Sequence, residues 1–88
     1  MFYSLEGILK RKTEKFIVLE NQGFGFRIFL SFSTLEQLPK VGERVKIFLY
    51  PYFREGAIEL YGFLREEEAD FFEKLNSVAG VGPKSALA

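Results

Sequence analysis

A period of two governs the middle of this sequence. Phe24, Phe26, Ile28 and Leu30 alternate with Gly25, Arg27 and Phe29. Successive side chains point to opposite faces only in an extended strand, so this segment turns one face toward a core. Before it, Phe16-Ile17-Val18-Leu19 is a compact run of β-formers. Asn21-Gln22-Gly23 between them is a turn signal, because Asn and Gly tolerate positive φ. The two runs therefore read as a hairpin. An isolated hairpin is marginal in water, so further strands must complete the sheet.

Three more candidates are present. Residues 2–9 place Tyr3, Leu5 and Leu9 on one alternating set, with Gly7 in that set as at a bend or a close backbone approach. Residues 10–15 read as a polar connection. Residues 43–53 form a long strand with Val45, Ile47, Leu49, Pro51 and Phe53 on one face and Phe48, Tyr50 and Tyr52 on the other. Both faces are apolar toward the end of the strand, unlike a strand with one face in water. The second face needs a cover, either the helices after residue 64 or another subunit. After the turn Arg54-Glu55-Gly56, residues 57–63 return as a fifth strand. Ser33-Thr34-Leu35-Glu36 has capping-box spacing and predicts a short helix from Ser33, ended by Pro39 and Gly42. Five strands with one short helix between the third and fourth match the order of an OB-fold barrel. SH3-like and other small β-barrels share the pattern.

The character changes after Phe63. Arg65-Glu66-Glu67-Glu68-Ala69-Asp70 puts acids in a first helical turn, where the helix dipole favours them. Phe71, Phe72, Leu75 and Val78 recur at helical spacing, and the helix is expected to end near Ala79. The expected organisation is mainly β: a barrel domain over residues 1–63, then the start of a helical domain over residues 64–88. In that second part, Leu75, Val78, Gly80, Val81, Gly82 and Ala86 resemble the helix-hairpin-helix pattern. Two glycines let a backbone approach a phosphate without Cβ atoms in the way. Pro83 suits the first turn of the next helix. The free amides there, aided by the helix dipole, attract an anion, and Lys84 adds a mobile point charge. Gly80, Val81, Gly82, Pro83 and Lys84 are the candidate DNA-phosphate site. Gly-x-Gly alone favours an ordinary turn between helices; the full spacing with Pro83 and Lys84 favours DNA. Such contacts position DNA without reading its sequence.

Composition narrows the chemistry. The chain has no His and no Cys, so common triads and thiolate chemistry are out of reach. The absence of Cys also suits a reducing cytoplasm. No Walker-type loop occurs, no stretch has the length of a membrane span, and no cofactor or metal is implied. Glu66, Glu67, Glu68, Asp70 and Glu73 read as a solvated helix face rather than as metal ligands. Twelve basic and twelve acidic residues leave no net charge. Residues 1–62 carry nine basic and seven acidic side chains, residues 63–88 three and five. Any DNA grip must then come from local geometry or from further chain.

Barrel and motif together resemble the N-terminal part of the RuvA family, the bacterial Holliday-junction branch-migration proteins. The matching stretches are Leu5-x-Gly7, Gly23-Phe24-Gly25-Phe26, Leu38-Pro39, Arg54-Glu55, Leu60-Tyr61-Gly62-Phe63 and Gly80-Val81-Gly82-Pro83-Lys84, spread over essentially all 88 residues. The resemblance implies an OB-fold first domain and a cytoplasmic homotetramer that holds an open four-way DNA junction during recombination and repair. It implies the RuvB ATPase as motor partner, through a C-terminal domain that lies outside this sequence, and RuvC resolvase as a further partner. The chain would be a non-motor subunit of the helicase complex, with no catalytic residue of its own. The family carries acidic residues between the last two barrel strands, forming a central acidic pin. Glu55 matches, whereas Gly56 stands where a second acid is frequent. The chain ends inside the second helix of the motif, and a longer protein is expected.

Two other readings compete. A single-strand-binding module would stack bases on Phe29 beside Arg27, or on Tyr50 and Tyr52 beside Lys46. A pure interaction module would not touch DNA.

Overall fold

A computed structural model describes residues 3–76. Seven elements follow one another: β1 (Ser4–Lys12), β2 (Phe16–Asn21), β3 (Phe24–Phe29), α1 (Phe32–Gln37), β4 (Arg44–Arg54), β5 (Ala57–Phe63) and α2 (Glu66–Asn76). The strands close into a barrel in the order β1-β2-β3-β5-β4. All neighbours are antiparallel except β3 and β5, which pair in parallel at Ile28–Leu60 and Phe29–Tyr61. The seam between β1 and β4 runs from Ser4–Phe48 to Ile8–Arg44. Closure gives every strand a neighbour on both sides, with β3 and β5 joined at only those two residue pairs. The architecture is mainly β and consistent with the OB-fold.

The period of two is realised in the core. Leu9, Ile17, Leu19, Ile28 and Ile47 are fully buried, and Leu30, Leu35, Leu38 and Leu49 join them. α1 supplies Leu35 and its C-cap residue Leu38 follows, so the short helix packs against the barrel core. The β3 face is incomplete: Ile28 and Leu30 are buried, Phe26 is half-buried, and Phe24 is exposed beside the turn. Gly7 meets the expectation of a close approach, since a Cβ there would run into the Glu20 carbonyl oxygen of β2.

Three local expectations are corrected. The polar run after Leu9 is not a connection: β1 continues through Lys12, and a bulge at Lys10 shifts the register so that Leu9 faces Leu19 while Arg11 faces Val18. The turn proper is Thr13–Phe16, where the Thr13 hydroxyl accepts from the Phe16 amide at 3.0 Å and donates to its carbonyl at 2.9 Å. The helix cap is Ser31 rather than Ser33; its Oγ accepts from the Thr34 amide at 3.3 Å. In the β2–β3 turn the positive φ falls on Gln22 and Gly23, not on Asn21. Asn21 stays in the strand and its Nδ2 donates to the Glu6 carbonyl at 2.7 Å.

α2 lies on the outside of the barrel. Phe72 is buried against Tyr61 and Phe63 of β5, with Tyr50 and Tyr52 of β4 packed around them. The Phe72 ring sits 5.2 Å from Tyr50, 5.4 Å from Tyr61 and 5.1 Å from Phe63. Of the two covers considered for the second face of β4, the following helix therefore provides one at Tyr50 and Tyr52.

Candidate nucleic-acid interface

The β4–β5 hairpin carries the one candidate site residue within the described part, Glu55. Its strands pair through Phe53–Ile58 and Arg54–Ala57, leaving Glu55-Gly56 as a two-residue turn. Gly56 adopts φ +79°, a left-handed conformation that a second acid would take only with strain. The turn geometry thus accounts for glycine at this position. The Arg54 guanidinium folds back along the hairpin to Glu59, 3.3 Å away. Glu59 also accepts from the Tyr61 hydroxyl at 2.8 Å. Arg54 is thereby engaged by Glu59, and Glu55 is the carboxylate at the exposed tip. Burial, followed by the Glu59 hydrogen bond and charge, pushes the Tyr61 phenol above its ordinary range.

The hairpin end is also apolar. Phe53 and Ile58, opposite each other across the two strands, are 54% and 62% exposed. Beside them, a groove of about 550 Å³ runs between β4 and α2. Tyr3, Phe48, Tyr50 and Tyr52 line its β side; Glu66, Asp70 and Glu73 line its helical side. Among the described residues no group of three or more potential ligands is arranged to hold a metal ion.

The candidate phosphate site, Gly80, Val81, Gly82, Pro83 and Lys84, lies outside the described residues, as does the end of the helix near Ala79. α2 is seated on the barrel immediately before that segment by the Phe72 cluster.

The aromatics considered for base stacking have partners inside the fold. Phe29 lies 6.0 Å from Phe16 and 5.7 Å from Tyr61. Tyr50 packs on Phe72, and Lys46 sits over Phe48, 5.3 Å from the ring centre, rather than over Tyr50. Arg27 covers Phe16 at 5.0 Å, and Arg11 approaches the same ring at 5.9 Å. This Arg11–Phe16–Arg27 cluster was missed by sequence reasoning. Its signal was the basic run Lys10-Arg11-Lys12 near Phe16, but the bulge that turns Arg11 outward leaves no sequence mark.

The family model described as "RuvA N terminal domain" matches residues 1–62, the barrel up to the last residue but one of β5. The chain belongs to the RuvA family. Among curated RuvA relatives, the "Holliday junction branch migration complex subunit RuvA" of Acetivibrio thermocellus is 47% identical over 88 residues, covering 100% of this chain and 44% of the relative. The protein of the same name from Caldanaerobacter subterraneus subsp. tengcongensis is 41% identical over the same 88 residues, covering 47% of its own length. That of Chloroherpeton thalassium is 42% identical over 86 residues and 43% of its length. The chain spans about half the length of the curated RuvA proteins it matches. Among the described residues no helix is long and apolar enough to cross a membrane.

Proposed function

We propose that this chain is the N-terminal part of a cytoplasmic subunit that binds four-way DNA junctions through phosphate contacts. As a homotetramer it holds them open for branch migration. The RuvB ATPase is the expected motor partner and RuvC resolvase a further one, both reached through the complete protein. The observation that carries this reading is the match of the barrel to the RuvA N-terminal domain.

Three features support it. Residues 64–88 would open a helical domain whose Gly80-Val81-Gly82-Pro83-Lys84 segment presents free amides and a lysine to phosphates. Glu55 stands at a hairpin tip whose neighbouring arginine is turned back onto Glu59. Four such carboxylates around a central axis would repel the converging phosphates and keep the crossover open. The exposed pair Phe53–Ile58 would become buried where four hairpins meet.

The single-strand reading is the weaker one, because Phe29 and Tyr50 are engaged by other rings of the fold. The test is competition, in the complete protein, between a four-way junction and single-stranded DNA of equal length. Preference for the junction supports the proposal; preference for the single strand replaces it. Lys84→Glu is expected to weaken junction binding and leave oligomerisation intact. Unchanged binding would remove Lys84 from the site.

A further inference from the structure

We propose that the outer face of β1, β2 and β3 is a second nucleic-acid backbone site, with Arg11 and Arg27 as phosphate ligands held on the Phe16 ring. This rests on the junction-binding reading above and adds a contact surface on the barrel itself, apart from the Gly80–Lys84 segment.

The register places the residues. Arg11 pairs with Val18, and Val18 with Arg27, so the three lie in one row across three strands. Ile17, Leu19 and Ile28 point into the core, which sends Val18 and Arg27 outward. Arg11 joins them only because of the bulge at Lys10; strict alternation from buried Leu9 would have turned it inward. Bulges commonly serve to re-aim a side chain in this way.

Phe16 then fixes both guanidinium groups, at 5.9 Å and 5.0 Å from its centre. The ring is itself held by Phe29, and Phe29 by Tyr61 beneath α2. Arginine stacked on an aromatic face keeps its N–H edge free for an anion, and the planar fork is pre-organised. Neither arginine has a carboxylate within ion-pair distance among the described residues. Two uncompensated like charges gathered on one ring repel each other, and fold stability gains nothing from that repulsion.

The occupant is identified by this chemistry. Two cations fixed at separate points on an open sheet face suit a ligand with a charge at every unit along a chain. A phosphodiester backbone has that character; a single carboxylate does not. The outer surface that carries Arg27 on β3 continues to β5, where α2 is seated.

The test uses the complete protein and titrates an immobile four-way junction over a salt series. Wild type is compared with Arg11→Glu/Arg27→Glu and with Arg11→Lys/Arg27→Lys. Loss of two phosphate contacts is expected to flatten the plot of log affinity against log salt by about 2, and to weaken binding about tenfold or more near 0.1 M salt. The lysine pair should recover most of the slope. If the glutamate pair fails to fold, judged by thermal unfolding, Arg11→Gln/Arg27→Gln carries the same expectation. Unchanged slope and affinity would overturn this inference and leave the junction reading standing. Dissociation of the oligomer in the variants would also overturn it, by making the patch a subunit contact. Failure of the wild type to bind the junction would remove both.

Discussion

Single residues in this barrel are constrained by space and by desolvation, and the two constraints meet at neighbouring positions of β5. Gly62 faces the core: a Cβ there would lie 2.5 Å from Ile28 Cγ2, 2.6 Å from Ile47 Cγ2 and 2.7 Å from Leu30 Cδ2. All three are stiff, packed side chains, so Gly62→Ala is expected to cost about 1–3 kcal/mol as overpacking. Urea unfolding of the two proteins measures it; an unchanged midpoint would mean that the core yields. Tyr61, one residue earlier, points the other way and is 0% exposed beneath α2. Its phenol is held protonated above its ordinary value of about 10 by burial and by Glu59. Below that value the phenol is protonated in both folded and unfolded chains, and its contribution is fully present. Above it the unfolded chain releases the proton while the folded one retains it, so stability falls as pH rises toward the raised folded value. Tyr61→Phe should be less stable at neutral pH, through the lost bond to Glu59, yet lose less stability between neutrality and about pH 11. Equal losses in both proteins would mean that Tyr61 does not set the alkaline limb.

At the scale of elements, the two helices do different work. α1 packs on the barrel core through Leu35, with its C-cap Leu38 beside it, and Ser31 caps its start. Ser31→Ala is expected to cost about 1 kcal/mol and Ser33→Ala far less, a comparison that thermal unfolding resolves. α2 rests on the barrel mainly through Phe72, so Phe72→Ala should cost about 3–5 kcal/mol of the helix's attachment. Because the core of Leu9, Ile17, Leu19, Ile28 and Ile47 is separate from the Phe72 cluster, hydrogen exchange should quicken in α2 before it quickens in β1–β5. The strands were legible because Ile17, Leu19, Ile28, Ile47 and Leu49 alternate with outward residues. The bulge was not, because Lys10-Arg11-Lys12 is polar on either face and carries no periodicity. The cap was misplaced because Ser31 and Ser33 both precede the apolar helix residues, and only the backbone at Ser31 decides between them. Two apolar faces on β4 correctly announced a cover, but the sequence alone did not choose α2. Glu55 could be placed in its turn, whereas the return of Arg54 to Glu59 is a cross-strand contact that no local pattern signals.

For the whole molecule, the apolar hairpin end at Phe53 and Ile58 is exposed in the single chain. Phe53→Ser/Ile58→Ser is expected to leave the barrel's thermal midpoint nearly unchanged, since both side chains are exposed, and to weaken self-association seen by sedimentation. A full-sized assembly from that variant would move the subunit contact elsewhere. A fourfold assembly with Glu55 at its centre should flatten and open the junction it holds. Fluorescence transfer between arm ends of an immobile four-way junction, in magnesium, reads this directly. On adding the complete protein, all adjacent arm pairs should become equivalent and opposite arms should lie farthest apart. A junction that stays in its stacked, two-fold form when saturated with protein would mean that the assembly does not open it.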